Sequence, residues 1–93
     1  MNTISRHLTI RGRVQGVGFR QFVARAAREL QVTGWVRNCA DGSVEAVISG
    51  TPEAIHTILE RARQGPPQAM VTELTVAETH ASFERFETRA TET

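Results

Sequence analysis

The chain of 93 residues has a single cysteine, Cys39, and contains no lysine and no tyrosine. One cysteine cannot form an internal disulfide, which excludes the disulfide scaffolds of small secreted domains. No apolar run reaches the roughly 18 residues that a membrane helix needs. The opening segment 1–6 is polar and lacks the apolar stretch of a signal peptide. We therefore expect a cytoplasmic protein without a membrane partner.

Aromatic residues are also scarce, at 5% of the chain, and no internal repeat or low-complexity tract interrupts it. The length and the 40% share of hydrophobic residues fit one domain over residues 1–93, which we expect to be a monomer. Only the ends, roughly residues 1–5 and 90–93, are expected to be loose.

Charge is distributed unevenly, although the formal net charge is only +1. Residues 1–40 carry seven arginines against one glutamate, giving +6, and residues 41–93 carry four arginines against nine acids, giving −5. The first half of the chain therefore favours contact with anions. The three histidines, His7, His56 and His80, fall on separate predicted elements without ligand spacing, so we expect neither a metal site nor a cofactor.

Hydrophobic periodicity predicts the order β-α-β-β-α-β followed by a short final strand. The predicted elements are a strand at 7–14, a helix at about 20–31, a hairpin at 34–49 that turns at Asp41-Gly42, a helix from Thr51 to Gly65, and strands at 71–77 and 83–88. Two amphipathic helices and a sheet with one apolar face must meet across a shared core. The predicted fold class is α+β, a ferredoxin-like two-layer sandwich with an antiparallel or mixed sheet and both helices on one face.

The two helices differ in how they begin. The second has Thr51 as a capping residue, Pro52 at its first position and Glu53 in its first turn. The first follows Gln15-Gly16-Val17-Gly18-Phe19-Arg20, which offers no Ser, Thr, Asp or Asn as a cap. A bound anion can serve the free N–H groups of such a helix, and Arg20 could clamp a phosphate there. The alternative is a tight connection whose glycines serve geometry alone and whose Arg20 is solvated.

This glycine segment matches neither common nucleotide-binding pattern. The pattern GxGxxG would need a glycine at position 21, which is Gln21, and the Walker pattern would need a Lys followed by Ser or Thr. Nucleotide binding through those two motifs is therefore excluded.

Two longer motifs resemble the signatures of the acylphosphatase family. The segment Ile10-Arg11-Gly12-Arg13-Val14-Gln15-Gly16-Val17-Gly18-Phe19-Arg20 resembles the first signature, Gly-x-Val-Gln-Gly-Val-x-Phe-Arg. The run Gly34-Trp35-Val36-Arg37-Asn38, followed by Gly42, Val44 and Gly50, resembles the second at the family's own spacing. The resemblance fades after about residue 86, where Arg89-Ala90-Thr91 stands in place of the aromatic residue with which family members often close the last strand.

This resemblance implies an enzyme that hydrolyses small-molecule acyl phosphates, with neither a metal nor a covalent intermediate. It implies that the phosphoryl group is held by Arg20 and by the backbone amides of Gln15, Gly16, Val17, Gly18 and Phe19. It further implies that the side chain of Asn38 positions the attacking water, and that inorganic phosphate or sulfate competes with the substrate. Arg37, next along the strand, is expected to face away into solvent, and Cys39 to be a small buried residue.

Two other functions remain open at this point. The first motif also resembles the acylphosphatase-like N-terminal domain of the large carbamoyltransferases that mature nickel-iron hydrogenases, although Gln21 stands where those proteins commonly have proline. No cysteine-rich zinc region follows here, which favours the free-standing enzyme. The third possibility is a non-catalytic module that binds anions or nucleic acid. One Trp, four Phe and no Tyr provide too few aromatics for a base-stacking sheet, so we expect no nucleic-acid partner.

Overall fold

The computed structural model describes residues 2–91 and contains the seven predicted elements in the predicted order. They are β1 (Ile4–Arg13), α1 (Phe19–Glu29), β2 (Thr33–Asn38), β3 (Val44–Gly50), α2 (Pro52–Gln64), β4 (Met70–Thr79) and β5 (Phe86–Thr88).

The five strands form one mixed sheet in the order β4-β1-β3-β2-β5. The first three pairings are antiparallel, and β5 runs parallel to β2. Leu8 of β1 and Val36 of β2 both lie opposite Ala46 of β3, which places these three side chains on one face of the sheet. All three are fully buried. The predicted antiparallel or mixed sheet is confirmed.

Both helices pack on this apolar face. Phe19, Val23 and Ala27 of α1 share one buried cluster with Ile55 and Ile58 of α2 and with the inward residues of the sheet. The apolar stripes of the helices, spaced at three and four residues, make this burial possible. The ferredoxin-like two-layer sandwich with both helices on one face is confirmed.

Several predicted boundaries differ from the observed ones. Helix α1 ends at Glu29 instead of residue 31, because Gln31 adopts a left-handed conformation with φ 57° and the chain turns into β2. The loose N-terminal end predicted over 1–5 is wrong for Ile4 and Ser5. Strand β1 already includes both residues, and the buried hydroxyl of Ser5 donates to the carbonyl of Ala81 at 2.8 Å.

The final strand covers only Phe86–Thr88 of the predicted 83–88. Phe86 is 5% exposed and belongs to the core, so it anchors this short strand against β2. Beyond it, Ala90 and Thr91 are exposed and outside any helix or strand, while Met1 and residues 92–93 of the predicted loose ends lie outside the described residues. Neither helix within residues 2–91 has the length and apolar character required to cross a membrane.

Candidate active site

The connection from β1 to α1 is shaped by two glycines. Gly16 has φ 75° and Gly18 has φ 80°, both in the left-handed region that residues with a side chain rarely adopt. A Cβ atom added at either position would meet no atom within 4 Å, so both glycines face open space. They are therefore required by backbone conformation, and their amide surface is accessible to a small ligand.

Among residues 2–91, the start of helix α1 finds no acceptor for its N–H groups. Gly18 occupies the capping position and no side chain accepts a hydrogen bond there. The first helical bond runs from the N–H of Phe22 to the carbonyl of Gly18 at 3.0 Å. Across residues 2–91, no oxygen accepts from the N–H groups of residues 16–21. The predicted absence of a cap is confirmed, and these donors lie at the positive end of the helix dipole.

Arg20 lies in the first turn of α1, and a backbone contact from the far end of the chain holds it. Its Nη1 atom donates to the carbonyl oxygen of Arg89 at 3.0 Å. The N–H of Arg89 donates in turn to the carbonyl of Val36 at 2.8 Å, and the Arg89 guanidinium lies 4.6 Å from the ring centroid of Trp35. The segment after β5 is thus fixed to β2 and limits where the Arg20 guanidinium can move.

Asn38 ends strand β2 beside the glycine loop. A cavity of about 240 Å³ joins the two, and its lining consists of Gly16, Gly18, Phe19, Arg20, Gln21 and Asn38. The structure therefore brings Arg20 and Asn38, which are 18 positions apart in the sequence, to one cavity at the bare start of α1.

Two of the predicted loop residues, Gln15 and Val17, do not line the cavity. Val17 packs against the hydrophobic core. The side-chain amide of Gln15 donates to the carbonyl oxygens of Cys39 at 2.8 Å and Ser43 at 2.9 Å. Both contacts anchor the loop to neighbouring structure, whereas the prediction for these residues concerned only their backbone amides.

Arg37 does face away from Asn38, but the expectation that it is merely solvated is wrong. Its guanidinium lies 2.7 Å from a carboxylate oxygen of Glu45 and 4.9 Å from the ring centroid of Trp35, on the helix-free face of the sheet. His7 Nε2 lies 2.6 Å from the other oxygen of Glu45. Partial burial on its own raises the pKa of the Glu45 carboxyl, but the hydrogen bonds from His7 and Arg37 outweigh it and hold this pKa below its usual value.

Cys39 is only partly buried, which corrects the expectation of a buried apolar residue. Its Sγ atom lies 3.7 Å from Oε1 of Glu45. Burial is the main cause that raises the pKa of the Cys39 thiol, and the Glu45 charge adds to it. The thiol is therefore protonated at neutral pH and is a weak nucleophile.

Other parts of the molecule offer poorer sites. A larger cavity of about 660 Å³ lies at the opposite end of β1, between residues 3–6 and 78–82. No helix start lines it, and neither Arg20 nor Asn38 does. Within residues 2–91, no three His, Cys, Asp or Glu side chains are grouped in a way that could hold a metal ion.

Sequence reasoning missed two features of this site. Gln21 lines the cavity, and the carbonyl of Arg89 accepts from Arg20 across 69 positions of sequence. A backbone carbonyl has no residue-type signature, so no sequence pattern could have indicated the second contact. Gln21 follows Arg20 directly, and its position in the first turn was the available signal.

Known proteins resemble this chain in both sequence and structure. The sequence profile described as Acylphosphatase matches residues 6–88. An acylphosphatase from Thiobacillus denitrificans is 50% identical over 84 residues, covering 90% of this chain and 94% of that protein. A solved acylphosphatase structure from Coxiella burnetii superposes with a TM-score of 0.91 at 40% identity, covering 95% of this chain and 94% of the other.

The fold also matches one part of a longer protein. The structure of full-length HypF in its phosphate- and nucleotide-bound form superposes with a TM-score of 0.90 at 26% identity, covering 98% of this chain but 12% of that one. The relatives matched along nearly their whole length are the small proteins named acylphosphatase. By sequence and by structure, the chain belongs to the acylphosphatase family, whose enzymes hydrolyse acyl phosphates.

Proposed function

We propose that the chain hydrolyses acyl phosphates at the cavity beside α1, with the amides of residues 15–19 and Arg20 binding the phosphoryl group and Asn38 orienting the attacking water. One observation carries this assignment: Arg20, Asn38 and the residues of a helix start whose N–H groups have no acceptor within residues 2–91 line the same small cavity. Inorganic phosphate presents the same oxygens as the substrate, so it competes for the site. The enzyme acts as a monomer in the cytoplasm.

The donors match the charge that develops during phosphoryl transfer. The transferred group carries negative charge on its three equatorial oxygens, and fixed N–H groups stabilise that charge without having to reorganise. Arg20 adds a full positive charge and can donate two parallel hydrogen bonds. Because the Arg89 carbonyl accepts from one of its nitrogens, the guanidinium is oriented before substrate arrives.

Asn38 supports the attack without acting as a base. The cavity lining contains neither a carboxylate nor an imidazole among the described residues. The oxygen of the water attacks phosphorus while the bond from phosphorus to the acyl oxygen breaks, and its electron pair leaves with the carboxylate. The carboxylate is a weak base and needs no proton, so the water's proton ends on a phosphoryl oxygen and dihydrogen phosphate is released. A carboxamide that fixes the water in line is sufficient for this step.

The test is the release of phosphate from benzoyl phosphate, compared with p-nitrophenyl phosphate as a less activated ester, with a chelator present throughout. We expect Asn38→Ala to lower kcat by about 10²–10³, the scale for losing one donor that acts in the transition state, while inhibition by phosphate is largely retained. Arg20→Gln removes a charged bidentate donor and should weaken phosphate binding by about 100-fold or more.

Arg25→Gln is the matched control for Arg20→Gln. Arg25 lies one and a half turns further along α1, is exposed, and does not line the cavity. Its replacement makes the same change in net charge and should leave both kcat and phosphate inhibition within about twofold, as is usual for surface positions. Equal loss of phosphate binding in Asn38→Ala and Arg20→Gln would contradict the assigned roles. Strong inhibition by the chelator would contradict the metal-free mechanism.

A further inference from the structure

The side chain of Gln15 connects the glycine loop to the segment between β2 and β3, which directly follows Asn38. It stands at the start of the glycine loop, and its single amide nitrogen reaches the carbonyl oxygens of Cys39 and Ser43 at 2.8 and 2.9 Å. Both partners are acceptors, so only the nitrogen end of the carboxamide can face them. Each of its two hydrogens is used, and the two partners lie at opposite ends of the connection 39–43 between β2 and β3.

Four hydrogen bonds stabilise the connection 39–43 that Gln15 contacts. The N–H of Cys39 donates to the carbonyl of Ser43 at 2.8 Å, and the N–H of Gly42 donates to the carbonyl of Cys39 at 3.1 Å. Asp41 accepts from the N–H and the hydroxyl of Ser43 at 2.9 and 2.6 Å. Gln15 is therefore bonded to a well-ordered connection, and Asn38 directly precedes that connection in the sequence.

From this geometry we infer that Gln15 is a positioning residue, whose side chain sets the distance between the amides of residues 16–19 and the carboxamide of Asn38. The inference rests on the proposed function, in which the amides hold the phosphoryl group and Asn38 holds the water. Sheet pairing fixes Asn38 opposite Val44, and the helix fixes Arg20, but the loop between β1 and α1 belongs to neither element. In-line attack requires water and phosphorus to be aligned, and a misplacement of about 1 Å can lower the rate by about 10².

Two variants of Gln15 test this inference. Gln15→Met keeps the length of the side chain and removes both donors, and Gln15→Asn keeps the amide but shortens the reach by one methylene. Both should fold, because the carbonyls of Cys39 and Ser43 each retain a backbone donor. We expect either variant to lower kcat by about 10- to 100-fold. The inhibition constant of inorganic phosphate should stay within about threefold, because the amides and Arg20 remain at the start of the same helix.

A double-mutant cycle with Asn38→Ala separates positioning from general damage. If Gln15 acts through Asn38, Gln15→Met should lower kcat by less than about threefold once Asn38 is already alanine. Ser5→Ala is the control for stability, since it removes two hydrogen bonds of a buried side chain at the other end of β1 and should leave kcat unchanged.

The inference is overturned if Gln15→Met leaves kcat unchanged, if its effect is the same with Asn38 and with alanine at position 38, or if phosphate affinity falls as far as kcat does. Failure of the proposed function gives a different result, in which Asn38→Ala by itself leaves kcat intact. The two failures are therefore distinguished by the single variants alone.

Discussion

The two helices of this protein begin in opposite ways. At the start of α2, the side chain of Thr51 accepts from the N–H of Ala54 at 3.2 Å, and Glu53 in the first turn complements the helix dipole. At the start of α1, Gly18 supplies no acceptor, the first turn contains no acid, and Arg20 adds positive charge where the dipole is already positive. The start of α2 is therefore capped by residues of its own segment. The start of α1 instead has free N–H donors and a cation that a bound anion would satisfy.

The turn next to the site resembles the start of α2. Asp41 accepts from the backbone N–H and the hydroxyl of Ser43, so that turn also satisfies its donors with its own side chain. The chain thus has the residues needed to cap exposed amides and uses them at Asp41 and at Thr51. The absence of a cap at α1 coincides with the cavity that holds Arg20 and Asn38. Of the two helix starts within residues 2–91, the uncapped one is therefore the one at this cavity.

The largest expected effect comes from giving α1 the acceptor it lacks. Gly18→Asp places a carboxylate at the capping position, where a Cβ meets no atom within 4 Å and where aspartate tolerates the positive φ better than most residues. The carboxylate places a negative charge beside the free amides and should repel the substrate dianion. We expect kcat/KM and phosphate affinity to fall by about 100- to 1,000-fold, as measured with benzoyl phosphate.

Gly18→Asn is the matched control for that change. It has the same size and the same backbone constraint but carries no charge, so we expect a loss of about tenfold or less with similar thermal stability. Equal losses in the two variants would mean that backbone strain, and not the filled anion site, explains the effect.

A smaller effect is expected from removing the cap that α2 has. Thr51→Ala deprives the N–H of Ala54 of its acceptor and should lower the free energy of unfolding by about 1 kcal/mol. For a domain of this size, that corresponds to a fall in Tm of roughly 4–8 °C, measurable by calorimetry. We expect kcat and phosphate inhibition to be unchanged, because α2 contributes no residue to the cavity. A fall in kcat at a temperature where the variant is fully folded would show that the two helix starts are not independent.

The smallest effect concerns the capped turn at Asp41. Hydrogen bonds from the hydroxyl and N–H of Ser43, and then from Arg11, lower the pKa of the Asp41 carboxyl from 3.8 to about 2. Because the pKa of this carboxyl is lower in the folded state than in the unfolded chain, the carboxylate stabilises the protein at pH values above its unfolded pKa. This contribution is lost as the pH falls towards 2. Asp41→Asn should therefore be less stable than the original chain at neutral pH, and the difference should shrink between pH 4 and pH 2. Parallel urea titrations over this range would measure it, and a difference independent of pH would contradict the assignment.

Local patterns determined the architecture well. The Thr51-Pro52-Glu53 start of α2 and the apolar spacing of both helices depend on residues within a few positions of one another, and all appear as predicted. Two of the predictions that failed depend on distant partners. Ser5 belongs to β1 because its backbone pairs with Ser49 of β3 and Thr79 of β4, and Arg37 is held by Glu45 across the hairpin. Neither contact leaves a periodic signal in the segment that contains the residue.

For the site, local sequence patterns were enough to indicate which groups are present: two glycines that permit a left-handed backbone, a helix start without a cap, an arginine in its first turn and an asparagine at the end of a strand. How these groups are held together depends on contacts between distant segments of the fold. Arg20 is oriented by the carbonyl of Arg89, and Gln15 reaches both ends of the connection 39–43, across sequence separations of 69 and of 24 and 28 positions. The physical reason is that these partners are backbone carbonyls, which every residue type carries, so their positions follow from the strand order and from no particular letter of the sequence.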